Sequence, residues 1–133
     1  MKVSDLAEKT GLESLNEYQD GEVEGVYISD MVSDIITGAK ANSILVTLQT
    51  HKSLIAAANL VDVAAIVFVR GKLPPSETIA LAEEKGIPLL ASRYTMYETC
   101  GRLYQAKLPS CGLFQLTADS WPEGSSPSRS TSP

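Results

Sequence analysis

One histidine, two cysteines and one tryptophan are all that 133 residues supply of the side chains most often used to hold metals or anchor cofactors. A structural zinc site needs four clustered ligands. Cys100 and Cys111 lack C-x-x-C spacing and have only His51 to join them, so no metal and no cofactor is expected. Runs of like charge are also missing. Lys40, Lys52, Arg70, Lys72, Arg93, Arg102 and Lys107 come singly in a chain of net charge −5. Nucleic-acid phosphates need clustered Lys and Arg, so no nucleic-acid partner is expected. Nor does any apolar stretch reach the roughly 20 residues of a membrane-crossing helix, which argues against a membrane partner. The opening MKVSDLAEKTG is amphipathic and charged rather than an apolar export segment. The expectation is a reduced, cytoplasmic protein without a disulfide framework.

What is present is an ordinary folding composition, 44% apolar and 20% charged, in a chain long enough for one continuous core. Apolar runs VEGVYIS (23–29), SILVTLQ (43–49), AAIVFVR (64–70) and IPLLAS (87–92) predict strands. Helical patterns fill 30–37, 51–61, 75–85 and 96–107, after a short opening helix from Ser4 to Lys9. The punctuation agrees. Ser29-Asp30 would cap the second helix and Gly38 would take its left-handed end position. Pro74-Pro75 opens the fourth helix and Gly86 closes it. Thr95 and Glu98 would form a reciprocal capping box on the last one. From Ala118 onward, ADSWPEGSSPSRSTSP has little to bury, and Trp121 is its one anchor residue. The expected organisation is a single domain over 1–117 and a disordered Ser/Pro-rich tail over 118–133.

Alternating strands and helices imply βαβ units and a mainly parallel sheet. Runs such as ILVTL are apolar on both faces, as a sheet covered by helices on each side requires. The fold class is therefore α/β, a small three-layer domain with a mainly parallel sheet flanked by helices. Its strand order is not legible from the pattern. One consequence concerns function. Ser29-Asp30, Thr50-His51-Lys52, Arg70-Gly71 and Arg93-Tyr94-Thr95 all follow the carboxyl ends of predicted strands, where open α/β sheets bind ligands. A small anionic ligand such as a phosphate, a carboxylate or a nucleotide would suit that polar rim with its cations.

The stretch from Tyr27 to Tyr104 resembles a DRTGG domain. The match is carried by TLQTHKSLIAAANLVDVAAIVFVRGKLPPSETIALAEEKGIPLLAS and the closing YETCGRLY. Similar segments occur in bacterial phosphotransacetylases, beside CBS-domain pairs and in the N-terminal domain of HPr kinase/phosphorylase. Two departures stand out. Where the family commonly has Gly-Asp-Arg this chain has Thr50-His51-Lys52, and where it has Thr-Gly-Gly this chain has Val69-Arg70-Gly71. The resemblance implies the fold, a tendency to homodimerise and a regulatory or ligand-sensing role. Kinase activity does not carry over, because the sequence has no G-x-x-x-x-G-K-[ST] loop.

Each candidate residue also has a plainer reading. A lone histidine after a strand is more often a cap or a ligand-touching donor than a general base, which would need an oriented partner and a nucleophile. Lys52 and Arg70 are equally well read as anion ligands or as solvated charges. Asp30 and Asp34 are two carboxylates at i, i+4 spacing with no further acids to complete a metal site. Cys100 is expected in the core, and Tyr97, Leu103 and Tyr104 in the core or on a dimer face. The resulting expectation is a non-catalytic regulatory module, not an enzyme. It would bind through Thr50, His51 and Arg70, with Ser29, Asp30, Lys52 and Gly71 beside them. A protein-interaction adaptor for a signalling or redox enzyme is the alternative.

Overall fold

Aliphatic residues crowd both faces of the central strands, and the computed structural model, which describes residues 1–111, places them between two helical layers. The elements are α1 (Val3–Thr10), β1 (Glu13–Ser14), β2 (Gly25–Ile28), α2 (Val32–Gly38), β3 (Ser43–Thr47), α3 (Ser53–Leu60), β4 (Ala65–Phe68), α4 (Ser76–Lys85), β5 (Leu89–Ala91) and α5 (Met96–Gln105). They form one five-stranded sheet in the order β1-β5-β4-β3-β2. Strands β2 to β5 are parallel, and β1 is an antiparallel edge strand. The expected three-layer α/β fold is therefore what this chain adopts. The domain boundary expected at residue 117 and the anchor Trp121 lie outside the described residues.

Side chains two apart share a face of a strand, and this alternation divides the core in two. Leu45, Ile66, Phe68 and Leu89 point to the layer of α2, α3 and α4, against Ile35, Leu54, Ile55, Ala58 and Ala82. Ile44, Val46, Val67 and Leu90 point the other way, to α1 and α5, against Leu6 and Leu103. Each such Leu, Ile or Phe is fully buried, a contribution of about 1.5–3 kcal/mol per side chain. Each βα unit advances the sheet by one strand in the same direction. Right-handed crossovers then keep α2, α3 and α4 on one face.

Several local details differ from the expectations and have clear causes. Gly38 ends α2 buried within the helix, and the residue that follows, Ala39, is extended at φ −73°. The left-handed residue comes later instead, at Asn42 with φ 65° in the turn just before β3. At Gly86 the left-handed end does occur, with φ 72°. Ser29 and Asp30 do not cap α2, whose flanking residue is Met31. Only half of the capping box forms on α5: Thr95 Oγ1 accepts from the Glu98 amide at 3.1 Å. The Glu98 carboxylate turns instead to the Arg102 guanidinium, 3.0 Å away. Helix α1 is capped from a distance, since Asp20 accepts from both the amide and the hydroxyl of Ser4. Those donors hold the Asp20 carboxyl below its ordinary range.

Candidate functional site

Loops that leave the carboxyl ends of β2, β3, β4 and β5 carry the rim residues. Most of their polar groups already have partners. Asp30 Oδ1 accepts from Thr47 Oγ1 at 2.9 Å and from the Leu48 amide at 2.7 Å, which ties the end of β2 to the end of β3. Ser29 Oγ accepts from the Met31 amide at 3.2 Å within its own turn. The Thr50 carbonyl accepts from the buried Thr78 hydroxyl at 2.9 Å, fastening this loop to α4. His51 Nδ1 accepts from the Ser53 amide at 3.1 Å and meets Ser53 Oγ at 3.0 Å. His51 is thus a cap at the start of α3. With Nδ1 accepting from an amide, the proton of a neutral ring belongs on Nε2, on the side away from that bond.

Arg70 and Gly71 form the tip of a tight turn. Both are left-handed, at φ 62° and 66°, and the Lys72 amide closes the turn on the Val69 carbonyl at 3.1 Å. The Arg70 and Gly71 amides are also held, by the Tyr94 and Ser92 carbonyls, each at 2.8 Å. Two consecutive left-handed residues are natural for glycine and cost an arginine roughly 1–2 kcal/mol. A pair of glycines would take this turn without strain, so Arg70 is the strained residue of the two.

Charge is distributed unevenly around the rim. Arg93 is neutralised by Glu13 of the edge strand at 2.8 Å. Lys52, Arg70 and Lys72 are exposed, and among the described residues no carboxylate lies within ion-pairing distance of them. His51 and Lys52 border a cavity of about 590 Å³ between α3 and α4, which Glu77 and Glu84 also line. Ser29, Asp30, Arg70 and Gly71 do not border it. The topology explains this separation. A crevice at the carboxyl edge opens where the strand order reverses, and β2 to β5 follow one another without reversal.

A larger cavity, about 780 Å³, lies elsewhere, between α5 and the edge strand β2. Val26, Ile28, Tyr97, Gly101, Tyr104 and Leu108 are among its walls. Tyr97 and Tyr104 are 89% and 80% exposed, so neither belongs to the core, whereas Leu103 does at 1%. Cys100 is only half-buried, with its thiol pushed up by that burial. The outer edge of β2 is met by the chain itself. Val26 donates to the Pro109 carbonyl at 2.9 Å and accepts from the Cys111 amide at 3.0 Å. Gly25 makes this approach feasible, because a Cβ there would fall 2.2 Å from Cys111 Cβ. The sequence signal for the groove was an amphipathic last helix with two tyrosines on its polar side. Among the described residues no group of three metal-binding side chains occurs, and no helix is long and apolar enough to cross a membrane.

These features define a class: a three-layer α/β domain of consecutive βα units, with polar loops at its carboxyl edge and an apolar groove along one sheet edge. The chain belongs to the DRTGG domain family, whose model matches residues 5–106. Among solved structures it is similar to the CBS and DRTGG domains of the regulatory region of Clostridium perfringens pyrophosphatase, complexed with the activator diadenosine tetraphosphate. The TM-score is 0.56 at 15% identity, covering 80% of this chain and 47% of that one. The chain thus spans about half the length of that relative, and at this identity the likeness establishes the fold. Among curated proteins no sequence matches significantly.

Proposed function

We propose that this chain is a non-catalytic regulatory module that senses a small anionic metabolite or nucleotide at the carboxyl rim of its sheet and acts as a homodimer in the cytoplasm. The observation that carries this reading is the trio Lys52, Arg70 and Lys72, exposed on neighbouring loops of one sheet edge with no carboxylate partner among the described residues. A phosphate chain spanning separate loops would meet such cations better than a compact ligand in one pocket, which suits a rim without a crevice. Arg70 is the principal ligand, and its strained backbone is consistent with retention for a purpose other than stability. His51 offers Nε2–H, and Thr50, Ser29, Asp30 and Gly71 set the loop geometry. The relative's nucleotide activator makes adenine nucleotides and dinucleoside polyphosphates the first compounds to test.

The test is a thermal-shift titration of the full chain with ATP, diadenosine tetraphosphate and inorganic phosphate. A ligand at a hundred times its dissociation constant adds about 2.7 kcal/mol, an easily resolved rise in Tm. The rise should fall away in Lys52→Ala and Arg70→Ala, and weaken with added salt. A flat titration across the three compounds would remove the sensing role. The groove between α5 and β2 favours the second reading, an adaptor that meets a protein rather than a metabolite.

A further inference from the structure

We infer that residues 112–116, Gly-Leu-Phe-Gln-Leu, add a further strand to the open edge of β2 and seat Phe114 in the α5–β2 groove. The inference is independent of anion sensing at the rim and fails separately from it. β2 is the last strand of the sheet, and an uncovered edge strand is a liability that proteins protect. Its cover has already begun. The Val26 amide donates to the Pro109 carbonyl, and the Val26 carbonyl accepts from the Cys111 amide. Together they make one full step of a parallel ladder between Val26 and Ser110. Cys111 is buried and lies too close to Gly25 for any side chain there. The chain therefore reaches Cys111 held in place and aimed along β2 towards the carboxyl end of the sheet.

The next step follows from the register. Backbone groups two residues apart on a strand point to the same edge, so Ile28 offers its amide and carbonyl outward as Val26 does. Among the described residues neither group has a partner on that edge. Continuing the ladder sets Ile28 beside Gly112, its amide on the Cys111 carbonyl and its carbonyl on the Leu113 amide. Side chains alternate as well. Val26 and Ser110 line the groove, so Gly112, Phe114 and Leu116 take that face and Leu113 and Gln115 the other. Gly112 leaves room for Ile28, which is 48% exposed. Phe114 falls one step further on, towards the start of α5, where Tyr97 stands in solvent. The space of about 780 Å³ between α5 and β2 accepts the ring. No proline occurs between residues 110 and 121, so the ladder keeps its donors. A groove closed in this way removes the observation behind the adaptor reading.

Amide hydrogen exchange, read residue by residue by NMR on the full chain, tests this. The wild-type Ile28 amide is expected to be protected. Leu113→Pro deletes the donor to the Ile28 carbonyl and should speed Ile28 exchange about tenfold or more. The Tyr27 amide, which faces β3, should keep its rate. Phe114→Ser leaves every backbone donor in place and should also speed Ile28, whereas Gln115→Ser should not. If Leu113→Pro unfolds the chain, speeding Tyr27 as well, Phe114→Ser decides alone. An Ile28 amide that exchanges freely in the wild type would overturn the strand. So would protection indifferent to Leu113→Pro and Phe114→Ser, which a different cover would give. Protection that fades on dilution would overturn it too, because the segment would then come from a second copy. Equal responses to Phe114→Ser and Gln115→Ser would overturn the seating of Phe114.

Discussion

Polar groups at the carboxyl rim are mostly engaged in fastening its loops, whereas the α5–β2 groove, lined by Glu98, Arg102 and Gln105 beside its apolar residues, leaves large rings in solvent. Asp30, Ser29, Thr50 and His51 each hold a neighbouring amide or hydroxyl. Tyr97, Tyr104 and Ile28 hold nothing of the kind. The two regions teach different lessons about reading a site. A cluster of polar residues at a strand end is first of all the means by which the loops are fastened, since backbone groups there must find partners. Only what remains after that fastening, here Lys52, Arg70 and Lys72, is available to a ligand. An uncovered apolar stripe has no such internal purpose, and large exposed patches mark contact surfaces.

The contrast breaks most visibly at Asp30. Asp30→Ala should lower stability by about 2 kcal/mol, because the carboxylate accepts two hydrogen bonds and bonds to charged groups are the stronger kind. Asp30→Asn, which keeps an Oδ1 acceptor, should lose about half as much. Urea denaturation midpoints would measure both. If Asp30→Ala proved neutral, the rim's polarity would not be structural, and Asp30 would return to the list of ligand contacts. Arg70 should behave in the opposite sense. Arg70→Gly relieves a left-handed arginine and should gain about 0.5–1 kcal/mol, some of the relief being offset by glycine's extra unfolded freedom. The same change should abolish anion-dependent stabilisation. Stability rising while ligand response disappears would separate a residue kept for binding from one kept for folding.

How far these regions were visible in the sequence follows from the range of the interactions involved. The four parallel strands and five helices were legible because each is written locally, as apolar runs of strand or helix period bounded by Gly, Pro and Thr. Their ends shifted by a residue or two, as frayed termini do. The antiparallel strand β1 was not legible. It has two residues, Glu13 and Ser14, and exists only because Ala91 and Leu90 are there to pair with it. Asp30 was read as a helix cap because caps are local, but its actual partners are 17 and 18 residues away. His51 was legible as a cap because Ser53 is two residues on. The groove depended on which face of α5 the sheet left uncovered, and on Pro109 to Cys111 returning to β2. Neither is encoded in a window of a dozen residues.

The smallest effect sharpens the comparison most. Tyr97→Ser and Tyr104→Ser remove rings that are 89% and 80% exposed, so with nothing seated on them each change should alter stability by less than about 0.5 kcal/mol. Neither hydroxyl has a hydrogen-bond partner among the described residues, so no buried group is stranded by the change. A ring that receives Phe114 should respond differently, because an aromatic pair adds about 0.5–1.5 kcal/mol. Tyr97→Ser should therefore cost more than Tyr104→Ser at the other end of α5, and the excess should vanish in a Phe114→Ser background, as a double-mutant cycle reads it. Rings lying idle in solvent predict two small, equal effects in either background, while rings that pack on other neighbours predict costs that Phe114→Ser leaves untouched. Only a groove filled from beyond Cys111 gives a cost at Tyr97 that depends on Phe114.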